Sequence, residues 1–434
     1  MNIIQITPGA GAMYCGGCFR DNALVAALRK LGHSTLMMPL YLPLTLDEAD
    51  QSEGTPIFFG GINVYLEQKS KWFRDAPNWL HRLFASPFLL KQAAGFAGKT
   101  RPQDLGALTL SMIQGEEGNQ ARELDQLIDW LKANQKPDVI SLSNALLIGM
   151  ARRLKKELGV PIVCSLQGED SFLDSLPISH RELVWKTLSE RAADVDLFIA
   201  PSKYFGELMS KRLGIPADRI RVIYNGINLE GYEEVQGSKF EVQSLNAPTL
   251  GYFARMCPEK GLDILVDAFI ALKKRNEFKN LKLKIGGGCG PSDEPFVAKM
   301  RDRLSANNLS GDVEFFPNLT RAAKQDFFKS LTLFSVPAPY GEAFGLYIIE
   351  ALASGIPVVQ PRQASFPELI EATGGGLLCE PNSASLAETI AQLLSNPAQL
   401  RSLGEAGRKV VQENFSVEKM ARQTVAVFSR LPRI

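Results

Sequence analysis

The chain has 434 residues, too many for one common hydrophobic core, which predicts two domains or three. Its 48 Lys plus Arg nearly cancel 47 Asp plus Glu, so no global field points to nucleic acid as a partner, and any basic surface is local. Six cysteines are spread over both halves, no run approaches a membrane-spanning length, and the N-terminus has neither a basic start nor an apolar export segment, so a reducing cytoplasm is expected.

The chain opens with a strand pattern, NIIQIT at 2–7, then a small-residue loop from Pro8 to Gly17, then a helical pattern ending at Leu31 with Gly32 beyond it. A strand, glycine loop and helix in that order bring backbone close to a phosphate or sugar, because Gly9, Gly11, Gly16 and Gly17 carry no side chain to obstruct it. No spaced G-x-G-x-x-G fingerprint is present. Cys15 and Cys18 form a C-x-x-C in the same loop, which is also how a redox dithiol looks. The plainer reading is two small thiols beside a tight turn. Zinc is not expected, since a second cysteine pair is missing and His33, His81 and His180 lack ligand spacing.

After a second strand, STLMMPL, an irregular region runs from Tyr41 to about Ser111, longer than an ordinary connection. From Lys69 to Arg101 seven Lys or Arg face one acid, Asp75, a local charge of +6, with Trp72, Phe73, Trp79, Phe84, Phe88 and Phe96 interleaved. That composition suits peripheral contact of 69–101 with an anionic membrane face or a lipid-linked acceptor, and equally a helical subdomain whose aromatics pack inward.

From Ala121 the pattern becomes regular. ARELDQLIDWLKAN has Leu124, Leu127, Ile128 and Leu131 on one helical face, and PDVISLS, GVPIVCSLQ, VDLFIAPS and IRVIYNGI read as short buried strands between helices, hence a parallel sheet. Gln167 to Asp170, QGED, falls at the carboxyl edge of such a strand, where open α/β sheets bind ligands. Asp194-Val195-Asp196 has the D-x-D form of a metal site but leads directly into an apolar strand, so it reads as a helix-to-strand junction. The turn Asn225-Gly226 closes this half, and 231–248 reads as a linker.

A second alternating half begins at TLGYFAR and continues through LKLKIGGG, VEFFPNL, LTLFSVP and IPVVQP. Arg255 and Lys260 stand in its first turn, GYFARMCPEKG, with four residues between them. In PAPYGEAFGLYIIEALASGIPVVQP, 337–361, Glu342 lies in a loop and Glu350 follows after seven residues on a helix whose stripe includes Leu346, Ile349 and Ala353. Gly345 is expected to open that helix, so the amides of Phe344 to Tyr347 converge on a spot suited to a phosphate.

The glutamate pair followed by EALASGIPVV resembles the Glu-x7-Glu signature of retaining glycosyltransferases of family 4, and Arg255 with Lys260 resembles that family's Arg-x4-Lys. The resemblance covers most of the chain outside 41–111. It implies an α/β, two-domain GT-B fold: two doubly wound Rossmann-like domains with a cleft between them. The expected domains are 1–230 on the acceptor side, a linker at 231–248, a nucleotide-sugar-binding domain at 249–411, and a last helix, 412–434, crossing back. The implied activity is metal-independent, retaining transfer of a hexosyl group from a nucleotide-diphosphate sugar to an unidentified sugar, lipid-linked or small-molecule acceptor, with no cofactor and no metal ligands. The implied catalytic residues are Glu342 against the donor sugar and Arg255 and Lys260 gripping the leaving diphosphate. Glu350 is implied to hold the ribose, and the backbone of Phe344, Gly345 and Leu346 the diphosphate. Gly16 and Gly17 are implied to face the donor across the cleft, and Gln167 and Asp170 the acceptor. Related enzymes often have histidine where Gln167 stands, so a histidine-dependent role is not expected here, while a glutamine can still hydrogen-bond a sugar hydroxyl. Other readings are a nucleotide-sugar-binding protein without turnover, an epimerase of the same fold, and a C-x-x-C oxidoreductase.

Overall fold

Short runs of aliphatic and β-branched residues form the strands of two sheets in a computed structural model that describes residues 1–9, 15–74, 76, 105–232 and 247–432. The chain divides into two compact units, Met1–Tyr224 with Met420–Ile434, and Asn225–Lys419.

In the first unit, β1 (Asn2–Thr7), β2 (Ser34–Pro39), β3 (Val139–Leu142), β4 (Ile162–Ser165), β5 (Leu197–Ala200) and β6 (Ile220–Val222) pair in parallel in the order β2-β1-β3-β4-β5-β6. Ile3, Ile4, Ile6, Ile140, Leu142, Ile162 and Val163 are fully buried, as strands covered on both faces require. The helix Ala121–Asn134 buries the expected stripe of Leu124, Leu127, Ile128 and Leu131. Ser202 caps the helix Lys203–Leu213 by accepting from the Phe205 amide at 3.1 Å, and left-handed Gly214 ends it.

The second unit repeats the plan. β7 (Thr249–Phe253), β8 (Lys282–Gly287), β9 (Val313–Pro317), β10 (Leu333–Phe334), β11 (Val358–Pro361) and β12 (Gly376–Cys379) form a parallel sheet in the order β12-β11-β10-β7-β8-β9. The strand order reverses between β7 and β10. Open α/β sheets bind ligands beyond the carboxyl ends of the strands at such a reversal. Arg255 and Lys260 follow β7, and Glu342 follows β10, so the sheet order itself brings the distant motifs to one edge.

Two expectations need correction. The region 41–111 is not irregular throughout: helices span Gly61–Lys69, Lys71–Arg74 and Gly106–Gln114. The last, GALTLSMIQ, is apolar nearly all round and therefore shows no stripe, and close packing hides it further, since a side chain at Gly149 would meet the Met112 carbonyl at 2.3 Å. β12, only four residues long and opening on the last of three consecutive glycines, was not expected at all. Most of the basic aromatic stretch 69–101 lies outside the described residues; within it, Trp72 is exposed and Phe73 buried.

Candidate active site

The turn after β7 is held from below by Tyr252, fully buried, whose hydroxyl donates to the Arg255 carbonyl at 2.9 Å. Pro258–Lys260 makes one tight helical turn ending at Gly261, φ +69°, where a Cβ would meet the Pro337 carbonyl oxygen at 2.1 Å. Only glycine permits that approach, and it sets the β7 turn directly against the loop leaving β10.

In that loop Glu342 comes to Lys260. The Lys260 ammonium donates to Glu342 Oε1, and the Tyr347 hydroxyl donates to the same oxygen at 3.1 Å. Burial pulls the Lys260 ammonium down, but the neighbouring Glu342 outweighs it and holds it above its ordinary value. Burial, with the Glu342 charge beside it, pushes the Tyr347 phenol well up, so it remains a donor. The loop backbone is fixed from β11: the Ser365 amide donates to the Glu342 carbonyl at 3.3 Å, and its hydroxyl to the Phe344 carbonyl at 2.9 Å. Neighbouring Ala364 takes a left-handed φ of 51°, a conformation that costs energy without glycine.

Gly345, φ 103°, caps the helix Leu346–Ala353, whose first turn has neither a side-chain cap nor an acid. An anion at that end is therefore favoured. Phe344, 3% exposed, packs on Phe415 with ring centroids 6.3 Å apart and anchors the entry to the helix. Glu350, one turn before the helix ends, pairs at 2.7 Å with Lys324 from the helix Arg321–Lys329; the side chains are 15% and 12% exposed.

Arg255 is not paired with Lys260's partner. Its Nε and Nη2 donate to Asp293 at 2.8–3.1 Å, and Asp293 also accepts from the Gly290 amide at 3.0 Å. The hydrogen bonds to Asp293 hold the guanidinium above its ordinary value. Half of the Arg255 side chain stays exposed while Asp293 is 7% exposed, so the carboxylate fixes one edge of the guanidinium and leaves the other to solvent. Beside it, Met256, Cys289, Arg301 and Phe315 line a cavity of about 260 Å³, with the Arg301 guanidinium 3.8 Å from the Phe315 ring centroid.

In the first unit, Gly16 is exposed and Gly17 half-buried at the start of the helix Gly16–Lys30; residues 10–14 lie outside the described residues. Among the described residues, a Cβ on Gly16 would meet nothing within 4 Å. Gly9 differs: at φ +76° its Cβ would lie 2.0 Å from the Leu42 carbonyl oxygen. After β4, Gln167 and half-buried Asp170 flank Glu169, 6% exposed, which accepts from the Ala145 amide at 2.7 Å and the Gln167 amide at 2.6 Å. Burial raises both the Glu169 and the Asp170 carboxyl. Asp194 and Asp196 stand before β5, at the opposite, amino-terminal edge of the sheet, where Arg152 and Lys155 engage them. Among the described residues no group of three or more His, Cys, Asp or Glu is placed to hold a metal ion.

The structure thus joins Lys260 to Glu342 and sets Glu350 and Arg255 in ion pairs of their own. Sequence reasoning missed Lys324, Asp293, Tyr347, Ser365 and Glu169. Tyr347 was within reach, since it lies between the two glutamates, and so was Glu169, inside QGED with the Gln167 amide two residues away; Lys324, Asp293 and Ser365 meet their site partners too far along the chain for any local pattern to signal.

Residues 237–410 match the family model of glycosyl transferases group 1, and residues 107–230 that of Glycosyltransferase Family 4. An uncharacterized glycosyltransferase of Methanocaldococcus jannaschii is 28% identical over 279 residues, 64% of this chain and 71% of that protein. A D-inositol 3-phosphate glycosyltransferase of Streptomyces bingchenggensis is 26% identical over 245 residues, 55% of this chain and 53% of that protein. Among solved structures, the sucrose-phosphate synthase of Thermosynechococcus elongatus superposes with a TM-score of 0.69 at 18% identity, covering 99% of both chains. HepE of Anabaena in complex with UDP gives 0.68 at 18% identity, covering 99% of this chain and 100% of that one.

Proposed function

The chain belongs to glycosyltransferase family 4, with its two-domain GT-B fold, and from that premise we propose that it moves a hexosyl group from a nucleoside-diphosphate sugar to an acceptor hydroxyl with retention of anomeric configuration. The observation that carries the reading is the Lys260–Glu342 pair at the reversal point of the second sheet. It puts a fixed cation and a carboxylate together where such sheets bind ligands. Anabaena HepE, a fold neighbour, has been solved in complex with UDP and with UDP-glucose, which supports a nucleotide-sugar donor.

Each group then has a task. Departure of the nucleoside diphosphate develops negative charge, which Lys260 and the free edge of Arg255 stabilise. The uncapped amides at Gly345 and Leu346, beside Phe344, receive the diphosphate. Glu342 hydrogen-bonds the sugar, Glu350 orients the ribose, and the cavity by Arg301 and Phe315 takes the nucleobase. In the first unit, Gly16 and Gly17 allow close backbone approach, and Gln167 and Asp170 bind acceptor hydroxyls. Retention proceeds by same-face displacement: the C–O bond to the leaving phosphate breaks, the acceptor oxygen bonds to the anomeric carbon, and the phosphate oxygen takes the acceptor proton. Glu342 is held at one oxygen by both Lys260 and Tyr347, which suits hydrogen bonding to the sugar better than backside attack and disfavours a covalent route. Lys260 and Arg255 supply the charge that a divalent ion supplies elsewhere, so turnover is expected to persist in excess EDTA.

The test is release of nucleoside diphosphate from a panel of UDP-, GDP- and ADP-hexoses, with NMR of the product anomer. Glu342-dependent release and a retained anomer support the reading; donor conversion to an epimer without acceptor, or an inverted product, would overturn it.

A further inference from the structure

The transfer chemistry gives no task to the thiols of Cys15 and Cys18, yet the two are not equivalent. Cys15 is the N-cap of the helix Gly16–Lys30, in extended backbone conformation, and is half-buried; Cys18, one turn on, is 2% exposed. The Phe19 amide donates to the Cys15 carbonyl at 3.0 Å, which closes the first turn and holds residue 15 over it. The Cys15 sulfur is hydrogen-bonded by Cys18 and by the amides of Cys18 and Gly17, which outweigh burial and the charge of Asp21 and bring its thiol down to about 7. The Cys18 thiol, donating to Cys15 and buried, moves the opposite way. A Cβ at Gly17 would lie 3.8 Å from the Cys15 sulfur, so a larger residue there would sit against the thiol. The other cysteines lack this arrangement. Cys164, Cys257 and Cys379 are buried, and half-buried Cys289 has its thiol pushed up by burial and by Asp293.

We propose that Cys15 and Cys18 form a thiol–disulfide exchange site whose co-reactant is a small disulfide of the glutathione type. The Cys15 thiolate attacks one sulfur of the external disulfide; that S–S bond breaks and one thiolate leaves. Cys18 then loses its proton to solvent and attacks the Cys15 sulfur of the mixed disulfide, expelling the second thiolate. Two protein thiols are oxidised to one internal disulfide, and one external disulfide is reduced to two thiols. The inference stands on the dithiol alone and is independent of the donor and acceptor of the transfer reaction.

The experiment equilibrates the full chain in glutathione buffers from reducing to oxidising, quenches with acid, alkylates the remaining thiols and maps all six cysteines by mass spectrometry. The expected result is a Cys15–Cys18 disulfide that forms at a more reducing poise than any product at Cys289. Cys18→Ser should trap glutathione on Cys15, and Cys15→Ser should leave Cys18 unmodified. Cys18→Ala, matched to wild type in cooperative melting, covers the case where serine is not tolerated at that buried position. Glutathione on Cys15 and Cys289 in parallel without an internal disulfide in wild type, or Cys15→Ser oxidising at position 18 as wild type does, would overturn the proposal.

Discussion

Lys260 and Glu342, 82 positions apart in the chain, meet as an ion pair whose carboxylate oxygen also accepts from Tyr347. The pair forms because two loops from neighbouring strands, β7 and β10, are pressed together at Gly261. Since Glu342 holds the Lys260 ammonium above its ordinary 10.5, the stabilisation it gives is fully present below that value and is lost as pH rises through the raised one. The pair is therefore intact throughout the neutral range.

Replacing Lys260 or Arg255 by Ala should lower kcat by about 10²–10³-fold, the scale of losing one oriented donor to a developing oxyanion. Glu342→Gln keeps a hydrogen-bonding group and should lower the rate without abolishing it. Steady-state kinetics on the identified donor decides the matter. Near-normal turnover in both cation variants removes the diphosphate grip, and a sugar adduct on Glu342 that forms and turns over competently removes same-face displacement.

Asp293 fixes Nε and Nη2 of Arg255. Asp293→Asn should loosen the guanidinium, lowering kcat/KM by about tenfold, less than Arg255→Ala, as expected when one charge-assisted hydrogen bond of ~1.5–3 kcal/mol is weakened. The double variant should be no worse than Arg255→Ala alone. Additive losses would mean that Asp293 acts apart from Arg255.

The two strand-and-helix halves were readable because their buried strands are nearly continuous apolar runs, and the glutamate and cation motifs because each is local. What joins them was not. Arg255 depends on Asp293 through the adjacent strands β7 and β8, and Glu350 on Lys324 from another helix, 26 positions away. The helix Gly106–Gln114 escaped for another reason, its lack of a polar face. Gly16 and Gly9 looked alike in sequence, yet among the described residues a Cβ would clash at Gly9 and not at Gly16.

That difference is measurable. Gly9→Ala, forced to a positive φ against the Leu42 carbonyl, should cost about 1–3 kcal/mol in denaturant unfolding. Gly16→Ala should stay within about 0.5 kcal/mol of wild type, yet raise the donor KM. If Gly16→Ala binds and turns over donor as wild type does, Gly16 has no part in the site.

Lys324→Ala leaves Glu350, 15% exposed, without its 2.7 Å partner. Thermal unfolding should report a loss of about 1–3 kcal/mol, and kinetics a donor KM raised more than kcat is lowered. Lys324→Met with Glu350→Gln should regain most of the stability but not the donor affinity. Recovery of both would assign the pair to packing alone.

The most direct test of the central claim is calorimetric titration of UDP, GDP and ADP into wild type, Arg255→Ala and Lys260→Ala in excess EDTA. One nucleoside diphosphate should bind stoichiometrically to the second unit's site, and each variant, while melting cooperatively, should weaken it by at least about tenfold, or 1.4 kcal/mol. Binding of none of the three, or equal affinity in all three proteins, would contradict the claim.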